Sequence, residues 1–183
     1  MNLFRIKNSI YLKRVSSKKE VVRDDDCDGL LVESSEREVR RIIDMLKGSG
    51  KVVAFVGGDD ALNRRAVESL KIDYLVSPEG KTERDTLKQR DSGLNHVVAR
   101  IAKEKGISVV VDMGTISRLE GGAKAERIAR VIQNVKICRK VGCGVRIASL
   151  GSRKSEVFDE KGRMSFGVGL GMSSGEVRNC IVF

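Results

Sequence analysis

The sequence predicts an α/β fold in which parallel strands form a TIM-like barrel. Short apolar runs at 29–32, 51–56, 72–76, 107–113 and 144–148 alternate with stretches of helical periodicity. The run 107–113 (ISVVVDM) is nearly all apolar and β-branched, as in a strand buried on both faces. Such β-α alternation implies parallel strands joined by right-handed crossovers. At least five strand-helix units fit a barrel or a doubly wound sheet. The 183 residues fall just short of the roughly 200 at which eight-stranded barrels begin. The favoured reading is one domain, residues 1–183, forming an incomplete barrel or one with some helices short or missing.

Residues 2–6 (NLFRI) read as a short strand, and 7–26 are polar and charged, closing on Asp24-Asp25-Asp26 as a surface acidic turn. After the strand at 29–32, Ser34 or Ser35 caps a helix whose inward stripe is Val39, Ile42, Ile43 and Leu46. Gly57-Gly58-Asp59-Asp60 turns the chain into a helix over 61–70 with Leu62, Ala66, Val67 and Leu70 inward. The strand at 72–76 ends at Ser77-Pro78. A charged loop then leads to a helix with Ser92 as its N-cap and Leu94, Val97, Val98, Ile101 and Ala102 as its stripe. The long helix 123–141 faces inward through Ala125, Ile128, Ile132, Val135 and Cys138. Beyond Ser149 the pattern weakens. Gly167, Gly169 and Gly171 alternate but follow no strand, which argues against a phosphate loop, and a short helix is expected near 173–179.

The net charge of +10 and pI near 9.7 suit a polyanionic partner. The charge is uneven, with ten Lys and Arg against two acids between Arg118 and Lys154. A surface adapted to heat or salt would keep the signs balanced, and this window does not. Four cysteines without a C-x-x-C pair and a single histidine argue for buried free thiols over structural zinc. No apolar run approaches the roughly 20 residues of a membrane span, and the N-terminus lacks a signal peptide's apolar core, so a soluble cytoplasmic protein is expected.

In a barrel, chemistry sits at the C-terminal strand ends. Here these carry Glu33, Asp59, Ser77, Asp112 and Ser149. Glu33, Asp59, Asp112 and His96 could build a metal-dependent phosphoesterase, which is the alternative reading. Hydrolytic barrels with metal clusters spend several histidines on ligation, and this chain has one. Helix capping by Asp59 and a rim hydrogen bond for Asp112 are preferred, leaving no catalytic residue and no metal ligand assigned.

Several segments in fixed order carry a resemblance. They are Gly57-Gly58-Asp59, Leu62-Asn63-Arg64, Asp73-Tyr74-Leu75-Val76-Ser77-Pro78, the specific block Arg90-Asp91-Ser92-Gly93-Leu94-Asn95-His96-Val97, the strand at 107–113, and Arg139-Lys140-Val141-Gly142 leading into 145–149. Together they resemble archaeal ribonuclease P protein component 3, the family of the thirty-kilodalton eukaryotic subunit. The resemblance implies a barrel like that of the polymerase and histidinol phosphatase (PHP) superfamily, without its metal-binding histidines. It also implies binding to the catalytic ribonuclease P RNA and pairing with ribonuclease P protein component 2 in a heterodimer or heterotetramer. Precursor tRNA would be met indirectly, while the RNA, with magnesium, removes the 5′ leader; the chain itself would hold no cofactor. The expected RNA-binding residues are Arg64, Lys88, Arg90, His96, Arg118, Arg153 and Lys154. Three departures stand out: 2–9 lack the family's opening strand with its aspartate, the chain is short, and 167–171 look loose where the family has a helix. A scaffold that binds only proteins is the third reading, and the lopsided charge speaks against it.

Overall fold

The computed structural model describes residues 10–22, 26–81, 85, 90–150 and 158–180, with residues 179 and 180 given by backbone alone. Six strands form one parallel sheet: β1 (Leu12–Val15), β2 (Gly29–Val32), β3 (Val52–Val56), β4 (Tyr74–Val76), β5 (Ser108–Asp112) and β6 (Val145–Ala148). Their order in space is their order in sequence, the arrangement of an α/β barrel. Among the described residues no ladder joins β6 to β1, so the sheet is open.

The helices are α1 (Glu36–Leu46), α2 (Asp60–Ser69), α3 (His96–Glu104), α4 (Met113–Ser117), α5 (Gly121–Val141), α6 (Glu160–Gly169) and α7 (Ser174–Cys180). Among the described residues the β1–β2 connection holds a 3-10 turn at Lys18–Glu20 and no longer helix, and α4 is five residues long. Short and missing helices are therefore part of the fold. Strand residues alternate between the sheet's two faces. Leu30, Val32, Val53, Phe55, Leu75 and Val109 meet the apolar faces of α1, α2 and α3 in the largest core cluster. Val111 and Ile147 pack with Ile116, Val131, Val135 and Val177 in a second. On the opposite face Leu31, Ala54, Val76, Val110 and Ala148, one from each of β2 to β6, form the inner core.

The sequence places five of these strands correctly and misses β1. LKRV buries only Val15, because an edge strand paired on one side leaves Arg14 in solvent, and two apolar residues in four carry no period. The expected strand at 2–6 lies outside the described residues.

The helix after the charged loop begins later than predicted. Asn95, not Ser92, is the N-cap, accepting from the Val97 and Val98 amides at 3.0 Å. Ser92 is buried, and Gly93 at φ 67° turns the chain between it and the helix. The later start turns Val97 outward, 59% exposed, while Val98, Ala99 and Ala102 face the core. On α5, Ala125 is exposed, and the inward face carries Arg130 and Asn134 alongside Val131, Val135 and Cys138. Cys138 and Cys143 are buried free thiols; contact with Cys143 and burial raise the Cys138 thiol above its usual range.

Gly167 and Gly169 lie in α6, with Gly167 buried and Gly169 exposed, and Gly171 follows the helix. A Cβ at Gly167 would sit 2.8 Å from Ile147 Cδ1 and 2.9 Å from Val177 Cγ2. Gly167 therefore sets how closely α6 approaches β6 and α7. Gly167→Val is expected to destabilise the fold by about 2 kcal/mol through overpacking, read in urea unfolding. An unchanged midpoint would mean that α6 does not seat as described.

Candidate nucleic-acid interface at the strand ends

The C-terminal strand ends open into a cavity of about 240 Å³. Its floor includes Leu31, Val56 and Val76 from the inner face; Arg14, Lys81, Arg118 and Arg127 bring positive charge to its wall. Two carboxylates also line it, and both are engaged. Glu33 accepts from Arg14 Nη1 at 2.7 Å. Asp112 accepts from the Gly114 and Leu150 amides at 3.0 and 3.1 Å and from the Thr115 hydroxyl.

One wall of this mouth carries Ser77, Gly80 and Lys81, and two buried asparagines tie this stretch to residues 92–93. Asn63 on α2 accepts from the Gly58 amide at 2.8 Å, and its Nδ2 donates to the carbonyls of Gly58, Pro78 and Gly93 at 3.2, 2.8 and 2.8 Å. Asn134 on α5 donates to the Ser92 carbonyl at 2.9 Å and to Glu79 Oε2 at 3.4 Å. The backbone is shaped to fit. Ser77 lies in the left-handed region at φ 46°, and a Cβ at Gly93 would fall 2.0 Å from the Pro78 carbonyl oxygen.

Glu79 sits inside this wall, 1% exposed, and burial pushes its carboxyl up to about 7. Arg127 Nη1 lies 3.9 Å from it while Nη2 donates to the Gly80 carbonyl. Asp85 is a second anchor. Burial raises its carboxyl, but the Asp91 amide, Arg130 and Arg90 outweigh that and hold it below the usual range.

The predicted RNA-binding residues separate under this geometry. Arg118 lines the mouth, donating to Thr115 Oγ1 at 3.1 Å. Arg90, 46% exposed, is set beside Asp85 at 3.4 Å with its carbonyl held by Gln133. His96 is exposed at the first residue of α3. Arg64 points away into an exposed i,i+4 pair with Glu68 at 2.7 Å. Lys88, Arg153 and Lys154 lie outside the described residues. Arg14, Lys81 and Arg127 at the mouth were not anticipated. Lys81 lay inside the charged loop and Arg127 on the basic helix, but their convergence needed the fold.

The four groups of the phosphoesterase reading do not converge. Asp59 caps α2 through the Leu62 amide at 2.7 Å, and neither it nor His96 lines the mouth. Among the described residues no group of three or more His, Cys, Asp or Glu could hold a metal ion. No helix among them is long and apolar enough to cross a membrane.

Residues 29–182 match the family model described as RNase P subunit p30. The chain belongs to the RNase P p30 family. Among p30 relatives, Ribonuclease P protein component 3 of Halorubrum lacusprofundi is 40% identical over 78 residues, covering 43% of this chain and 28% of that one. The protein of the same name from Methanococcoides burtonii is 27% identical over 110 residues, covering 60% and 42%. The p30 chain thus spans about half or less of the length of the curated relatives it matches. Among solved structures it is similar to a chain in the cryo-EM structure of archaeal ribonuclease P with mature tRNA, with a TM-score of 0.72 at 19% identity over 92% of this chain and 77% of that one.

Two outcomes test the p30 wall. Asn63→Ala strands a buried amide and three carbonyls and is expected to cost roughly 3–5 kcal/mol in chemical unfolding; a loss below about 1 kcal/mol would contradict the clamp. For Glu79, the folded carboxyl holds its proton to about pH 7 while the unfolded one releases it near 4.5. Its contribution is full below 4.5 and lost as pH rises through 7. Glu79→Gln is therefore expected to flatten the stability–pH curve across that window, with a relative gain on the order of 3 kcal/mol at pH 8. Parallel curves for the two proteins would exclude a buried, proton-holding Glu79.

Proposed function

We propose that this chain is a non-catalytic protein subunit of ribonuclease P, binding the catalytic RNA and supporting removal of the 5′ leader from precursor tRNA. The observation that carries the reading is the match of residues 29–182 to the RNase P subunit p30 model. The site chemistry agrees with it. A mouth whose carboxylates are already bonded and whose wall presents several cations is suited to binding phosphates.

On this reading Arg90, His96 and Arg118 contact RNA, joined by Arg14, Lys81 and Arg127. Arg64 is a weaker candidate because Glu68 neutralises it. Lys88, Arg153 and Lys154 remain proposed on sequence alone. Ribonuclease P protein component 2 is the proposed protein partner, in a heterodimer or heterotetramer. The magnesium belongs to the RNA, the chain acts as one domain, and the assembly works in the cytoplasm.

Arg90→Ala is expected to weaken binding to ribonuclease P RNA and to lower the slope of log K against log salt by about 0.7–0.9, one phosphate contact. An unchanged slope removes Arg90 from the interface. For the function itself, adding the chain and component 2 to ribonuclease P RNA at low magnesium should raise leader cleavage. No change in cleavage, with both proteins folded, would overturn the assignment.

A further inference from the structure

We propose that the strand-end mouth is a receptor for a phosphomonoester, the phosphate carried at an RNA terminus or on a free nucleotide. For the RNA source it rests on the reading of this chain as an RNA-binding subunit. General RNA binding needs only a basic surface, whereas the mouth is a concavity with a floor. Its roughly 240 Å³ leaves room for a phosphate group. The buried side chains of Leu31 and Val76 close it below.

The charges favour a terminal phosphate over an internal one. Of the two carboxylates at the mouth, Glu33 is neutralised by Arg14, and both oxygens of Asp112 are occupied by two amides and a hydroxyl. Asp112 keeps its negative charge, and Lys81, Arg118 and Arg127 outnumber it at the mouth. Lys81 and Arg118 are exposed on the opening, and Arg127, 16% exposed at its side chain, is steered by the Gly80 carbonyl. A phosphodiester carries one negative charge, whereas a monoester carries about 1.5 to 2 near neutral pH together with three acceptor oxygens. Three converging donors suit the second better. The wall that carries Gly80 is fixed by Asn63 and Asn134, so the donors are placed before the ligand arrives.

The test uses the full chain and two oligoribonucleotides of one sequence, one with a 5′-phosphate and one with a 5′-hydroxyl, with AMP and inorganic phosphate as separate probes in calorimetry. The phosphorylated oligonucleotide is expected to bind about tenfold more tightly. Arg118→Ala and, independently, Lys81→Ala should reduce that ratio towards one, while Arg118→Lys retains part of it. Both positions are exposed, and unchanged thermal melting would show that each variant folds. Equal affinity for the two oligonucleotides, with AMP and phosphate binding that Arg118→Ala weakens, supports the monoester site with a free nucleotide as its source. If neither oligonucleotide binds but AMP does, the mouth stands and the RNA-binding reading falls. If both bind equally and neither AMP nor phosphate binds, the monoester site is overturned while RNA binding is retained.

Discussion

Asn63 is a polar side chain with no access to water, and it meets its hydrogen-bonding needs by joining three parts of the chain. Its amide group touches the turn after β3, the Ser77-Pro78 turn after β4, and Gly93 ahead of α3. An amide left unpaired in such a site costs far more than a hydrogen bond gains in water, so the three segments are held together or not at all. Ser77 in a left-handed conformation and Gly93 against the Pro78 carbonyl are tolerated because this clamp over-determines them. Asn134 repeats the device from α5 through the Ser92 carbonyl. The result is that Pro78, Ser92 and Gly93 are fixed relative to one another at the strand ends.

That wall also organises the charge. Several arginines are held by acids: Arg139 makes a two-pronged pair with Glu176, whose carboxyl this pairing helps hold down to about 2, and Arg130 is directed to Asp85. Arg14 is offset by Glu33. Among the described residues the mouth is lined by the cations Arg14, Lys81, Arg118 and Arg127. The carboxylates that might have supported hydrolysis instead cap α2, in the case of Asp59, and close the rim, in the case of Asp112.

Much of this was legible in the sequence, for identifiable reasons. Strands β2 to β6 are buried runs, and the amphipathic period of α1 survives in its core residues Val39, Ile42 and Leu46. The two aspartate roles follow from their place at strand ends. Strand β1 was hidden because an edge strand buries one face only. The Asn95 cap was hidden because Gly93 adds a turn after Ser92, which no period records. Asn63 and Asn134 read as surface polar residues on their helices, since their partners are backbone groups 15 to 42 residues away. The R-D-S-G-L-N-H block marked the place through its resemblance, but the reason for its glycine and serine became visible only with the Pro78 and Asn134 contacts in three dimensions.

Native-state hydrogen exchange of the Gly58 amide tests the clamp most directly, because that N–H has the Asn63 side-chain oxygen as its partner. The account predicts exchange as slow as that of the central strands β3 and β5, through global unfolding alone. Exchange at the rate of an exposed turn, with those strands still protected, would show that the wall opens on its own and would contradict a preformed site.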